Sequence, residues 1–179
     1  MNDKLICDQI LRQYVRTANI YGIIFKGIIY SIHDNVPMTS IKDIMVYLEN
    51  IGPLVLKPNS GTDGGKGVIV VQIINGTIIS NGRQVNMDEF TQLIESLNSY
   101  IICEYIKQGK YGDLLFSETV NSIRILTMLS PEDNKPFIGA TVQRIGTKES
   151  SPVDNWSAGG LSAHIDITTG TLSEAVSFR

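Results

Sequence analysis

The sequence contains only two cysteines, Cys7 and Cys103, and neither has a second cysteine two or three residues away, as most metal-binding motifs would require. Both lie among apolar residues, so we expect reduced thiols in the core. The first 16 residues, MNDKLICDQILRQYVR, are too polar for a signal peptide. These features predict a cytoplasmic protein.

Excess positive charge and long apolar runs are also missing. The chain has 15 Lys and Arg against 18 Asp and Glu, a formal net charge of −3, and its basic residues are scattered. A groove for nucleic acid normally needs a basic stripe, so we expect no nucleic-acid partner. The most apolar segment, Ile20 to Ile32, is too short to span a bilayer and is interrupted by Gly22, Lys26 and Gly27. We therefore expect no membrane segment.

A chain of 179 residues with 42% hydrophobic residues is long enough for one globular core. Apolar residues follow a helical period over residues 3–18 and again after Thr39 and Ser40, either of which could cap the second helix. Asp88 is expected to cap a third helix. From Asn121 onward the pattern is strand after strand. These patterns predict an α+β fold with antiparallel sheets and few helices.

The stretch VLKPNSGTDGGKGVIVVQ, from Val55 to Gln72, places a glycine-rich loop between two expected strands. Its glycines permit backbone N–H groups to surround an anion, and Lys57 and Lys66 lie at its two ends. The spacing does not fit a Walker A motif, and a strand rather than a helix follows, which excludes the dinucleotide fingerprint. A strand–loop–strand phosphate flap remains, with a glycine-rich hairpin that binds no ligand as the alternative.

Three charged residues lie within apolar strands. Lys57 ends one strand, Glu104 lies in IICEYI, and Arg124 lies in SIRILT. A buried ammonium needs a partner, and a phosphate would be suitable. Each residue taken alone is as easily a salt-bridged or solvent-facing sheet residue, whereas together they favour a binding site.

The motifs LVLKP, GTDGGKGV, IICEYI, ETVNSIRILTM and VDNWSAGGLSAHIDITTG follow one another in this order. Their order and spacing over roughly residues 50–172 resemble the ATP-grasp superfamily, specifically the sugar-transfer-associated ATP-grasp family found with surface-polysaccharide genes in bacteria. In such proteins the nucleotide lies between two α+β subdomains. The resemblance implies an ATP-dependent carboxylate ligase that forms an acyl phosphate, with a catalytically inactive nucleotide-binding or regulatory module as the alternative.

The resemblance also implies roles for individual residues. Lys57 and Lys66 would contact ATP phosphates, and Arg124 with Asn121 would face the transferred phosphoryl group or the acyl substrate. The closing flap would be formed by Gly64, Gly65 and Gly67. The hinge that binds adenine through its backbone would be Glu104, Tyr105 and Ile106. The acceptor would be bound by Asn155, Ser157, Gly159 and Gly160. The alternative for the last group is a surface loop with Trp156 against the sheet.

The resemblance implies a single ATP-grasp-like domain over residues 1–179, which we expect to be incomplete. It would comprise a helical lead-in (1–50), a flap and hinge subdomain (51–106) and an antiparallel sheet subdomain (107–179). Magnesium is an expected cofactor with ATP, yet no residue matches the family's metal ligands, and we assign none to Asp166 or Glu174. His33 and His164 are expected to be structural or exposed.

Three explanations of the missing ligands remain open. The chain could be a fragment of a longer ligase, a natural short protein that binds nucleotide without turnover, or a protein whose metal ligands come from another subunit. A fragment should expose apolar sheet surface and could therefore associate with itself. Besides ATP, the expected partner is an unidentified small-molecule or saccharide acceptor.

Overall fold

The computed structural model describes residues 3–32, 38–61 and 65–178. The chain divides into two compact units, Met1–Ile106 and Lys107–Arg179. The boundary falls where the sequence analysis separates the flap and hinge subdomain from the sheet subdomain. That the two units form one ATP-grasp-like domain stays a prediction.

The first unit is built on one antiparallel sheet. Its elements are α1 (Lys4–Leu11), β1 (Ile20–Phe25), β2 (Ile28–Ser31), α2 (Ile41–Asn50), β3 (Leu54–Pro58), β4 (Ile69–Ile74), β5 (Thr77–Ser80), β6 (Arg83–Val85), α3 (Met87–Ser96) and β7 (Tyr100–Glu104). The seven strands lie in the order β2-β1-β7-β3-β4-β5-β6, and neighbouring strands are antiparallel. The hairpins expected around Asn75-Gly76 and Asn81-Gly82 join β4, β5 and β6.

Residues 1–50 are not simply a helical lead-in, which corrects the prediction. Strands β1 and β2 form a hairpin whose turn residues, Lys26 and Gly27, both have positive φ angles of 49° and 76°. Two successive positive φ angles suit the twist of a tight hairpin, but Lys-Gly is a weaker signal for it than Asn-Gly. A Cβ atom on Gly27 would lie 2.5 Å from the backbone oxygen of Glu95, so only glycine fits there.

The helices begin at capped positions and end where their apolar face ends. Ser40 and Asp43 form a capping box on α2, as the sequence allows. The expected cap at Asp88 is wrong, because Asn86 and Glu89 form the capping box of α3 instead. Helix α1 ends at Leu11 rather than near residue 18, since Tyr14 is 75% exposed and gains nothing from packing.

The two faces of this sheet have different partners. On one face, buried sheet residues such as Leu56 and Ile102 pack with Ile44 of α2 and Phe90 of α3 in the main core. On the other face a smaller cluster contains Ile20, Ile101 and Cys103, with Leu5 of α1 against it. Alternation along β3 and β7 separates the two sets. The smaller cluster, with α1 over it, leaves room for a cavity.

The second unit contains α4 (Lys110–Leu115), β8 (Ile123–Leu129), β9 (Pro136–Ile145), a 3₁₀ turn (Trp156–Ala158), β10 (Leu161–His164) and β11 (Val176–Ser177). Its antiparallel strands lie in the order β11-β10-β9-β8. The sequence analysis did not anticipate α4, a single short helix. The α+β class, with antiparallel sheets and few helices, is confirmed.

Strand β8 lies at the edge of this sheet, and each of its seven residues is exposed. Most of them are apolar, including Ile123, Ile125 and Leu126, which are each at least 53% exposed. An apolar edge strand of this kind favours contact with another surface, so self-association stays a prediction. Among residues 3–32, 38–61 and 65–178, no helix is long and apolar enough to cross a membrane.

Candidate functional site

A cavity of about 380 Å³ in the first unit lies beside the smaller hydrophobic cluster. Its wall includes residues from α1 and from strands β1, β3 and β7. The residues with polar or ionisable side chains that line it include Lys4, Cys7, Asp8, Thr17, Lys57 and Cys103. A concave site with several convergent polar groups is the usual form of a small-molecule site.

Lys57 reaches the cavity because of its register in the sheet. It pairs with Ile101 of β7, while Val55 pairs with Cys103. Paired residues of antiparallel strands share a face, so the Lys57 side chain leaves β3 on the side of the smaller cluster. The predicted position of Lys57 at the end of an apolar strand is confirmed, with Leu54 and Leu56 buried on the opposite face.

Lys4 is a second cation at this cavity, and the sequence analysis missed it. Its Nζ donates to the carbonyl oxygen of Pro58 at 2.7 Å, and its backbone N–H donates to the carbonyl oxygen of Asn59 at 2.9 Å. These bonds fasten the start of α1 to the end of β3. A lysine in the first turn of a helix gives no signal in the sequence, so only the tertiary contact could have identified it.

The acidic groups at the cavity already have partners. The carboxylate of Asp8 accepts from Arg12 at 2.7 Å and from Thr17 at 2.5 Å. Asp3 accepts from Asn59 at 2.9 Å. Lys57 forms no ion pair with any residue in the described part of the chain. Lys57 therefore keeps an ammonium that no carboxylate within ion-pair distance balances and that could meet an anion.

Cys103 is not a nucleophile at neutral pH. Burial raises the pKa of its thiol to about 11, an effect that the nearby Lys57 ammonium only partly opposes. A protonated, buried thiol is inert, in agreement with the expected core thiol at Cys103, whereas Cys7 is only half-buried. The cavity thus offers cations and a neutral thiol, which suits binding better than covalent chemistry.

The flap residues are only partly described, because Gly64 lies outside the described residues. Gly65 and Gly67 have φ angles of 77° and 76°, and the Val68 N–H donates to the Gly65 carbonyl at 3.2 Å. Lys66 is exposed and is not among the residues that line the cavity around Lys57. The structure therefore shows a glycine turn between β3 and β4 but does not bring the two lysines together.

The predicted hinge follows β7. The Glu104 carboxylate accepts from the backbone N–H of Asn19 at 3.0 Å and from the Asn19 Nδ2 at 3.1 Å. Tyr105 and Ile106 are 41% and 50% exposed. Within the described ranges their backbone N–H groups donate to no protein acceptor. That these two residues bind adenine through their backbone stays a prediction.

Asn121 in the second unit is engaged by the protein itself, and its predicted catalytic role stays a prediction. Its Nδ2 lies 2.9 Å from the side-chain oxygen of Gln108 and 2.7 Å from the carbonyl of Phe116, and its Oδ1 accepts from Gly146 at 2.8 Å. Both ends of the amide are thus engaged with the protein. Asn121 holds the segment after α4 against the start of β8 and the end of β9.

Replacing Asn121 with alanine should lower the free energy of unfolding of the second unit by about 2 kcal/mol, because it leaves partly buried polar groups unpaired. Urea unfolding followed by the fluorescence of Trp156, the one tryptophan of the chain, would measure this. Glu118→Ala, an exposed change in the same segment, is the control. An Asn121→Ala curve that superimposes on the control would show that Asn121 does not have this structural role.

The segment from Asp154 to Gly160 folds back on itself. The backbone carbonyl of Asn155 accepts from the Gly160 N–H at 2.9 Å, and the side-chain Nδ2 of Asn155 donates to the Ser157 hydroxyl at 2.8 Å. The Gly159 carbonyl accepts from the Thr147 hydroxyl at 2.9 Å. Gly159 has a φ angle of 100°. The segment is therefore an ordered loop.

The structure brings this loop to the sheet face that carries Arg124. Asp154 accepts from the backbone and hydroxyl of Ser122, and Asn155 accepts from Arg144 at 3.3 Å. Arg124 is exposed on β8, and it lines one pocket together with Arg144 and Trp156. Asn155 thus contacts this pocket's wall, whereas Ser157 and Gly159 are exposed and line no part of it.

No metal ligand can be assigned. In the part of the chain that the structure describes, no group of three or more His, Cys, Asp or Glu side chains could hold a metal ion. His33 lies outside the described residues, and His164 is exposed at the end of β10. Asp166 caps its own turn by accepting from the N–H groups of Thr168 and Thr169 at 2.8 and 2.9 Å.

Comparison with known proteins gives the family. No curated protein matches this chain. One similar solved structure is the D-alanine--D-alanine ligase from Bacillus anthracis, with 17% identity over 98% of this chain and a TM-score of 0.33. The chain spans about 56% of the length of that protein. The model of the family described as sugar-transfer associated ATP-grasp matches residues 1–179, which include each of the motifs quoted above. The chain therefore belongs to the sugar-transfer associated ATP-grasp family.

Proposed function

We propose that this chain binds ATP as part of a ligase-type reaction and that the cavity beside Lys57 receives the nucleotide phosphates. Family membership indicates an ATP-binding, ligase-type function. The observation that carries the proposal is the cavity of about 380 Å³ with two lysines, of which Lys57 has no ion pair in the described residues. Phosphate oxygens are the natural partners of such cations.

The other predicted nucleotide contacts are compatible with this arrangement. The backbone of Tyr105 and Ile106 would bind the adenine edge, and the turn at Gly65 and Gly67 would close over the phosphates with Lys66. Glu104 would hold the start of this hinge through its bonds to Asn19. Backbone N–H groups and lysines together stabilise negative charge without requiring a metal ligand from the protein.

Magnesium is a general requirement of ATP-grasp enzymes, since it neutralises charge on the phosphates. Among the described residues there is no cluster of three potential ligands, although a nucleotide-bound magnesium needs only one or two carboxylates from the protein. We therefore assign no residue to magnesium and derive no step through it.

The finer reaction that we propose is carboxylate activation. A substrate carboxylate oxygen would attack the γ-phosphorus of ATP, the bond to the β-phosphate oxygen would break, and ADP would leave. A nucleophile would then attack the carbonyl of the acyl phosphate and release inorganic phosphate. Arg124 is our candidate for stabilising the charge on the transferring oxygens. A role in cytoplasmic polysaccharide or cell-surface biosynthesis with a saccharide acceptor belongs to the same proposal.

A second candidate function is a nucleotide-binding or regulatory module without turnover. Two observations favour it: Asn121 is engaged in protein contacts, and the described residues contain no metal cluster. The two candidates differ only in whether ADP is formed, so binding and turnover must be measured separately.

The thermal midpoint should rise with ATP and with ADP, because a ligand that binds only the folded state stabilises it. At 100 times the Kd the expected stabilisation is about 2.7 kcal/mol. Scanning calorimetry with ATP, ADP and tripolyphosphate, each with and without magnesium, measures it, and release of ADP from ATP measures turnover. An unchanged midpoint with each ligand would overturn the proposal, and an ATP-dependent rise without ADP release would select the second candidate.

A further inference from the structure

We propose that the second unit contains a separate binding site for an anionic ring compound, in which Arg144 is the main anion ligand, Arg124 is the second cation and Trp156 is the apolar wall. The identification of the ring with a sugar rests on the proposed function. The site itself rests on the geometry of the sheet.

Sheet register places the two arginines on one face. Arg124 of β8 pairs with Val142 of β9, which pairs with His164 of β10. Arg144 lies two residues after Val142 and pairs with Ser162. Paired residues, and residues two apart along a strand, point to the same side. Arg124, Val142, Arg144, Ser162 and His164 therefore share a face.

A pocket of about 360 Å³ lies on this face, and Trp156 contributes to its wall. The indole Nε1 donates to the Val176 carbonyl at 3.0 Å, and the ring meets Phe178 edge to face at 5.2 Å between centroids. These contacts hold the indole in place without a ligand. The pocket is therefore a built feature of the second unit.

Arg144 is buried to an extent that is unusual for arginine, with 7% of its surface exposed. Its Nη2 donates to the Asp154 carbonyl at 3.0 Å and to the Asn155 Oδ1 at 3.3 Å. Its buried Nε has no hydrogen-bond partner within the described residues. A buried donor without a partner is costly, so Arg144, which lines the pocket, would gain from a ligand oxygen that its Nε reaches after a shift of the side chain.

The charge of Arg144 is also incompletely balanced. Burial lowers the pKa of its guanidinium, Asp154 opposes this shift, and the nearby Arg124 adds to it. The Asp154 carboxylate is engaged by Ser122, and neither arginine forms an ion pair within the described residues. Two guanidinium groups at one pocket without a paired carboxylate favour an oxyanion, which both could bind.

The remainder of the pocket wall is largely apolar, because Val142, Ala163 and Val176 line it with Trp156. An inorganic ion would leave that surface unused, whereas a ring with one charged substituent would cover it. Sugar acids and sugar phosphates have this shared chemistry. The segment from Asp154 to Gly160 then positions Trp156 and holds Arg144 at the pocket.

The chain reports on this site by itself, because Trp156 is its one tryptophan. Its fluorescence should change saturably when glucuronate or glucose 6-phosphate is added to the full chain at constant ionic strength. Glucose tests the need for the charge, and inorganic phosphate tests the need for the ring. The stronger of the two sugar anions identifies carboxylate or phosphate as the natural group.

Arg144→Gln should weaken the binding of the sugar anion at least tenfold, and Arg124→Gln should weaken it severalfold. Arg83→Gln, which removes an exposed arginine of the first unit, should have no effect. Arg124 is exposed on an edge strand, so its variant keeps the test valid if Arg144→Gln does not fold.

Three results would overturn the inference. The first is no fluorescence response to either sugar anion, and the second is binding of glucose as tight as binding of the sugar anions. The third is an affinity for the sugar anions that is the same in the wild-type chain, the Arg124→Gln variant and a folded Arg144→Gln variant. Inorganic phosphate binding as tightly as the sugar anions would overturn the requirement for a ring. In the proposed function, nucleotide binding, measured by the thermal midpoint, depends on Lys57 in the first unit, whereas Arg124 takes part only in the transfer step. Failure of one test therefore leaves the other interpretable.

Discussion

Replacing Lys57 with methionine should remove most of the rise in thermal midpoint that ATP and ADP produce. Methionine keeps much of the length of the side chain and deletes the ammonium that faces the cavity. A charged hydrogen bond of about 1.5–3 kcal/mol corresponds to a loss of roughly ten- to a hundredfold in affinity. Titration calorimetry with ADP measures this loss directly.

Lys42→Met is the matched control, since it removes an equivalent charge from the exposed side of α2 in the same unit. The control should bind ADP as the wild type does. Lys66→Ala tests the flap separately and should weaken nucleotide binding while leaving the fold intact. Unchanged ADP affinity in Lys57→Met would exclude the cavity as the phosphate site, and unchanged affinity in Lys66→Ala would remove the flap alone from the site.

The largest effect on stability is expected for Phe90→Ala. Phe90 of α3 is 0% exposed and belongs to the main core of the first unit, together with Ile94 and residues of α2 and the sheet. Truncation removes apolar contacts and leaves a cavity, which costs about 3–5 kcal/mol for a buried phenylalanine. Because small domains have only about 5–15 kcal/mol of stability, the first unit should be close to unfolding at ambient temperature.

Phe25→Ala provides a matched control, because Phe25 lies in the same unit and is 48% exposed. Replacing Phe25 should lower the free energy of unfolding by much less than the about 3–5 kcal/mol expected for Phe90. Urea unfolding monitored by circular dichroism measures both variants, and Trp156 fluorescence follows the second unit separately. If Phe90→Ala and Phe25→Ala unfolded at the same urea concentration, the assignment of Phe90 to a tightly packed core would be wrong.

The two sites that we propose divide the chemistry between the two units. The first unit supplies lysines and a hinge for a nucleotide, and the second supplies a pair of arginines and an aromatic wall for an anionic ring. A ligase must hold both a nucleotide and an acceptor, so a chain with both sites has the binding functions that such a reaction needs. Lys57→Met and Arg144→Gln test them independently.

Local patterns in the sequence determined much of the fold. The hairpins at Asn75-Gly76 and Asn81-Gly82 and the α2 cap at Ser40 follow from turn and capping chemistry within a few residues. The same holds for the apolar strand that ends at Lys57. Where the local signal was weak or ambiguous, the prediction was wrong: the Lys26-Gly27 hairpin was missed, and the cap of α3 was placed at Asp88 instead of Asn86.

The sequence alone also determined the family, because the order of the motifs is a one-dimensional property. It singled out Lys57, Glu104 and Arg124 as charged residues in apolar strands. The structure places Lys57 and Arg124 in the walls of two cavities and pairs the Glu104 carboxylate with Asn19. The sequence could not assign their neighbours. Whether a polar residue binds a ligand or the protein depends on partners that are distant in the chain.

Only the tertiary structure decided those partnerships. Asn121 lies three residues before Arg124, yet its amide is engaged by Gln108, Phe116 and Gly146. Lys4 reaches the cavity beside Lys57 because α1 is fastened to Pro58, 54 residues away. Arg144 gave no signal in the sequence, and its role follows from a buried Nε and a shared sheet face with Arg124. Hydrogen-bond satisfaction and burial are properties of the packed chain, so they appear only when its distant segments are brought together.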